Sequence, residues 1–112
     1  MPGGDVDVLD RLMDQIQQRA QSLPPNSYTT KLILGGVEKM GAKIREEAAE
    51  VVDAAQKTQS PDNAHLIYEA CDLIYHLWVL LGSRGVSLQQ LRVELARREG
   101  TSGLEEKASR GS

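Results

Sequence analysis

Apolar residues recur along this chain at the three- and four-residue spacing of amphipathic helices, and nowhere settle into the alternation of a strand. Val6, Leu9, Leu12, Met13 and Ile16 predict a first helix from Asp5 to about Gln21, stopped by Leu23-Pro24-Pro25-Asn26. Ser27 can cap a short second helix, Tyr28 to Leu34, that ends at Gly35-Gly36. A long third helix runs from about Val37 to Lys57, interrupted only by Gly41. Ser60 as cap and Pro61 at the first helical position open a fourth, which stops at Leu81 before Gly82-Ser83-Arg84-Gly85. Ser87 caps a fifth, Leu88 to Arg98, and residues 99–112 lack an apolar face and read as a flexible tail. The expectation is all-α: one domain over 1–112 with about five helices.

The polar positions on the two long helices carry the candidate chemistry. On the third, Val37, Met40, Ile44, Ala48, Val51, Val52 and Ala55 form one apolar stripe, with Glu47 and Glu50 on its flank and Lys43 between them. Glu46 and Asp53 point further round, toward solvent. The fourth helix, HLIYEACDLIYHLWVLL, is apolar almost all round, which predicts burial on most sides. One narrow polar stripe crosses it: His65, Glu69, Asp72 and His76. Acidic side chains are seldom buried unless paired or bound to metal, so two carboxylate pairs on neighbouring helices call for a shared cation. An all-oxygen donor set suits Mg²⁺ or Mn²⁺ and gives little reason for zinc. A di-iron bundle would place Glu-x-x-His where this chain has Glu-x-x-Asp. Magnesium binds phosphate oxygens, which points to chemistry on a polyphosphate.

Each of these residues also has a plainer role. Glu46, Glu47 and Glu50 are compatible with a solvated face paired to Lys43; Glu69 and Asp72, on an apolar helix, fit such a face less well than a ligand role. His65 and His76 suit structural hydrogen bonds or substrate contacts better than metal. Tyr68, Tyr75 and Trp78 suit packing, and Cys71 a buried, inert thiol.

Composition narrows the function classes. The net charge of −3 carries no basic excess for nucleic acid, so an anionic substrate needs a metal or local cations, and no nucleic-acid or membrane partner is expected. The apolar runs read as too short to span a bilayer, and MPGGDVDVLD lacks a signal-peptide pattern. One cysteine excludes an internal disulfide and fits a reducing cytoplasm. With 112 residues, the core gains from burial against a second copy.

Glu47-Ala48-Ala49-Glu50, eighteen residues, then Glu69-Ala70-Cys71-Asp72 resembles the E-x-x-E … E-x-x-D signature of the all-α NTP pyrophosphatase superfamily. Asn26 to Leu32 (NSYTTKL), Lys43 to Val52, Asp72 to Leu81 and Arg98 to Arg110 narrow the resemblance to its phosphoribosyl-ATP pyrophosphatase family. It extends over nearly the whole chain, from about Val8.

The resemblance implies Mg²⁺-dependent hydrolysis of phosphoribosyl-ATP to phosphoribosyl-AMP and pyrophosphate, the second step of histidine biosynthesis. It also implies a homodimer that completes the helical bundle, with two antiparallel helices carrying the metal site. A monofunctional form is expected, since the chain is short for a fused cyclohydrolase and has no zinc-type cysteine cluster. By this likeness Glu47, Glu50, Glu69 and Asp72 hold one or two Mg²⁺ ions. Glu46 would orient the attacking water and Lys43 contact a phosphate oxygen or pair within its helix. Ser27, Tyr28, Thr29, Lys31 and His76 would bind substrate, while Arg97, Arg98, Lys107 and Arg110 close over the phosphoribosyl group. Two rivals stand beside this reading: a relative acting on dUTP, dCTP or other NTPs, and a non-catalytic helical dimerisation module.

Overall fold

A computed structural model describes residues 7–57, 63–101 and 103–110. They form six helices: α1 (Val8–Ser22), α2 (Tyr28–Leu34), α3 (Gly36–Lys57), α4 (Ala64–Ser83), α5 (Leu88–Arg98) and α6 (Gly103–Ser109), with no strand among the described residues. The caps decide the boundaries that matched best. Ser27 Oγ accepts from the Thr30 amide, and Ser87 forms a reciprocal capping box with Gln90, so α2 and α5 begin where expected. Asp7, in the same role, starts α1; Asp5 and Val6 lie outside the described residues.

The long helices α3 and α4 run antiparallel, because Glu47 meets Asp72 while Lys57 lies near His65 at the opposite end. Helix α2 packs against α1, α3 and α4. Together they enclose Ile16, Leu32, Met40 and Val79, with Leu12, Ile33, Tyr75, Trp78 and Leu80 packed around them. Trp78 Nε1 donates to the Leu9 carbonyl at 3.2 Å. Gln17 Nε2 reaches the Val86 carbonyl at 3.1 Å, and Arg92 pairs with Asp10 at 2.6 Å, so α5 and the turn before it are tied back to α1.

Several expectations are corrected. Helix α4 begins at Ala64 after a left-handed Asn63, three residues later than the proline suggested; Ser60 and Pro61 lie outside the described residues. Gly82 does not end α4. It is buried within it, and Gly85, at φ 74°, takes the turn. The described residues form six helices where about five were expected, the additional one being α6. Neither long helix buries its whole apolar face among the described residues. The buried line of α3 is Met40, Glu47 and Ala54, while Val37, Val52 and Ala55 are exposed. On α4 only His76, Val79 and Gly82 are buried, whereas Ile67 and Tyr68 are 57% and 65% exposed and the Cys71 thiol is also exposed.

At 20 residues α4 is, by length and composition alone, long and apolar enough to cross a bilayer, contrary to the sequence expectation. However, Glu69 and Asp72 face α3 from its middle, and an acidic side chain at bilayer depth costs about 2.5–3.5 kcal/mol. The packing against α1, α2 and α3 accounts for the helix instead.

The approach of α1 to α4 depends on Gly82, where a Cβ would stand 2.8 Å from Ile16 Cγ2 and 3.2 Å from Met13 Sδ. Gly82→Ala should therefore destabilise the fold by about 1–2 kcal/mol, overpacking exceeding the gain in helix propensity. Gly41→Ala, whose Cβ would meet nothing closer than Arg45 at 3.7 Å, should instead stabilise by about 0.5–1 kcal/mol. Denaturant unfolding of the two variants checks the opposite signs.

Candidate metal centre and the cavity beside it

Helical geometry brings the predicted carboxylates together. Glu47 stands on the buried line of α3 and is 5% exposed. Glu69 and Asp72, three residues apart on α4, turn toward it, and one oxygen from each of the three lies within 4.8 Å of the others. Glu46, Glu47 and Glu50 form a second such group along α3. Glu46 sits at the solvent edge, where Lys43 Nζ holds it at 3.1 Å and lies 3.8 Å from Glu47. His65 borders the far side, its Nε2 3.7 Å from Glu69. A cavity of about 250 Å³ opens there, walled by Glu50, Asp53, Ala54, Lys57, His65 and Glu69.

The electrostatics are unfavourable without a cation. Burial raises the Glu47 carboxyl from its ordinary 4.5 to about 7, reinforced by a hydrogen bond with Glu50 and the charges of Glu50 and Asp72, with Lys43 opposing. Burial likewise raises Glu69, helped by Glu50 and Asp72, with His65 opposing. Glu47 Oε1 and Glu69 Oε1 are both buried without any hydrogen-bond donor among the described residues. A donorless buried carboxylate oxygen is costly unless something positive meets it. The donor set therefore fits a hard divalent ion held by carboxylates from both helices.

Beside this cluster the Ser-Tyr-Thr segment joins α4. His76 Nδ1 lies 2.8 Å from the Asp72 carbonyl and Nε2 lies 3.1 Å from the Tyr28 hydroxyl. A carbonyl only accepts, so Nδ1 carries a proton and donates to it, which turns Nε2 to the Tyr28 hydroxyl. Thr29 Oγ1 bonds the Tyr75 hydroxyl at 2.6 Å, and the Tyr28 and Tyr75 rings lie 15° from parallel with centroids 6.2 Å apart. A larger cavity, about 420 Å³, opens against Arg19, Pro24, Pro25, Asn26, Ser27, Tyr28, Thr29 and Tyr75.

The candidate residues thus separate. Glu46, Glu47, Glu50, Glu69 and Asp72 converge, with Lys43 beside them. Ser27, Tyr28 and Thr29 line the large cavity, and His76 reaches it through Tyr28. Lys31 is exposed on α2 and lines neither cavity. Arg97 and Arg98 both bond Glu94, at 2.8 and 2.9 Å, and Lys107 and Arg110 are exposed on or just after α6. Cys71 is an exposed thiol instead of a buried one. Arg19, Asn26 and Tyr75 enter the cavity wall although none of them was expected to contact substrate. Arg19 occupies an ordinary polar position of an amphipathic helix, and no spacing marks it.

Because the Glu47 pKa is higher folded than unfolded, the folded chain keeps a proton that the unfolded chain releases. That contribution is fully present below about pH 4.5 and is lost as the pH rises through about 7. The metal-free melting temperature should accordingly fall across this window, and Mg²⁺ should raise it more at the alkaline end, where no proton has to be displaced. Glu47→Gln should flatten the pH-dependent fall and abolish the Mg²⁺-dependent rise; thermal melts with and without chelator read both.

The chain matches the family model for phosphoribosyl-ATP pyrophosphohydrolase over residues 9–99. It is 57% identical to a phosphoribosyl-ATP pyrophosphatase of Rhodopirellula baltica over 102 residues, covering 91% of this chain and 85% of that protein. It is 48% identical to the enzyme of that name from Rhodobacter capsulatus (92% and 97% covered) and 45% identical to one from Cereibacter sphaeroides (93% and 98%). With the family match spanning the paired-carboxylate helices and the Ser-Tyr-Thr segment alike, this chain belongs to the phosphoribosyl-ATP pyrophosphohydrolase family.

Proposed function

We propose that the chain hydrolyses phosphoribosyl-ATP to phosphoribosyl-AMP and pyrophosphate, a step of histidine biosynthesis, with Mg²⁺ held by Glu47, Glu50, Glu69 and Asp72. The observation that carries this reading is the pair of buried, donorless oxygens, Glu47 Oε1 and Glu69 Oε1, on facing helices of a chain in this family. When bound, Mg²⁺ neutralises triphosphate charge and lowers the pKa of an attacking water. Glu46, exposed at the solvent edge of the group, accepts a hydrogen bond from that water and orients it. Lys43 exchanges its contact with Glu46 for a phosphate oxygen. Ser27, Tyr28, Thr29 and His76 position the rest of the substrate, with Lys31 at the outer edge. Since Arg97 and Arg98 share Glu94, the tail's contribution to anion binding falls mainly to Lys107 and Arg110.

The same reading includes a cytoplasmic homodimer. Leu34, Val37, Val52, Ile67 and Tyr68 expose apolar surface on or beside the two site-bearing helices, which a second copy would cover. Sedimentation should then give twice the 12.3 kDa chain mass, and Ile67→Glu should shift it toward the monomer.

Pyrophosphate release from phosphoribosyl-ATP, measured with and without Mg²⁺, tests the function. Glu69→Gln should lower kcat/KM by about 100-fold or more, the equivalent of several kcal/mol of lost charge stabilisation. Near-normal turnover in that variant would overturn the metal assignment. Faster hydrolysis of dUTP or dCTP than of phosphoribosyl-ATP would overturn the substrate.

A further inference from the structure

We propose that the 420 Å³ cavity receives the phosphoribosyl end of the substrate and that Arg19 binds its terminal monophosphate, the phosphate outside the triphosphate. This rests on the phosphoribosyl-ATP reading and names the subsite within it. Arg19 lies half-buried in the last turn of α1 and lines the cavity with Asn26, Tyr28 and Tyr75. No carboxylate pairs with it among the described residues, whereas Arg92, Arg97 and Arg98 are each tied to Asp10 or Glu94. A partly dehydrated guanidinium without a counter-charge is costly, and its planar fork matches two oxygens of a phosphate.

The position agrees with the chemistry. Tyr28 bonds His76 and His76 bonds the Asp72 carbonyl, so the cavity starts one side chain away from the carboxylate cluster. Asp72 and Tyr75 are separated by about 4.5 Å of helical rise. A triphosphate gripped at the cluster would therefore lead its nucleoside past the flat faces of Tyr28 and Tyr75, toward Arg19. The cavity on the other side of the cluster is unsuitable for a phosphate. Glu50, Asp53 and Glu69 wall it, and its lysine, Lys57, is held by Asp53 at 3.0 Å.

Phosphoribosyl-AMP and AMP differ by the phosphoribosyl group alone, so their calorimetric titration into wild type, Arg19→Gln and Arg19→Lys isolates the subsite. Wild type should bind phosphoribosyl-AMP the more tightly. Arg19→Gln should weaken phosphoribosyl-AMP by about 10-fold or more and AMP by less than about 2-fold, as for loss of a charge-assisted hydrogen bond. Arg19→Lys keeps the charge but not the fork and should lose several-fold on phosphoribosyl-AMP only; it also serves if the glutamine variant does not fold. In turnover the loss should appear in KM for phosphoribosyl-ATP.

Equal weakening of both ligands, or none, overturns the proposal. So does a lowered melting temperature with an unchanged ligand ratio, because Arg19 would then serve only the negative end of the α1 dipole. Wild type that hydrolyses phosphoribosyl-ATP yet binds the two monophosphates equally overturns the subsite alone. Wild type that does not hydrolyse phosphoribosyl-ATP overturns the functional reading.

Discussion

Carboxylates brought face to face across α3 and α4 impose the constraint that the rest of the fold accommodates. Glu47 and Glu69 are pressed together with oxygens that no donor reaches, which by itself would push the helices apart. The opposing force is apolar. Met40 and Val79, on the same two helices, join Ile16 and Leu32 in the core, and α1 comes close enough at Gly82 that a methyl would collide with Ile16. The helix pair thus holds an unfavourable charge arrangement that a divalent cation, if bound there, would relieve, linking binding to stability at one place.

Helix α2 couples this arrangement to the large cavity. Its Leu32 is fully buried in the core, while Thr29 holds Tyr75 and Tyr28 holds His76. Seven residues suffice because α2 is packed against three other helices. The carboxylate cluster and the large cavity consequently share α4: Asp72 belongs to the cluster, while in the next turn Tyr75 lines the cavity and His76 bonds its Tyr28.

The parts legible in the sequence were those governed by local chemistry. Ser27 and Ser87 are side-chain caps, and the helices after them begin where a cap alone would start them. Glu69 and Asp72 stood out as acidic residues on an otherwise apolar helix. The misread parts had their causes elsewhere in the fold. Gly82 looks like a helix stop in isolation but exists for contact with α1, some seventy residues away in sequence. The apolar circumference of α4 suggested burial on most sides, yet Ile67, Tyr68 and Cys71 find no cover among the described residues.

What the sequence determined by itself is the helical periodicity, the three-residue spacing that puts Glu47 with Glu50 and Glu69 with Asp72, and the signature that places the chain in its family. Periodicity reports how residues are arranged around one helix axis and nothing of what stands opposite. Packing between helices is what puts Glu47 on the buried line of α3, keeps Glu46 at the solvent edge under Lys43, and turns Arg19 to a cavity with no counter-charge among the described residues. Those properties arise from the packing of α1, α2, α3 and α4 on one another, since burial and missing hydrogen-bond donors exist only between elements.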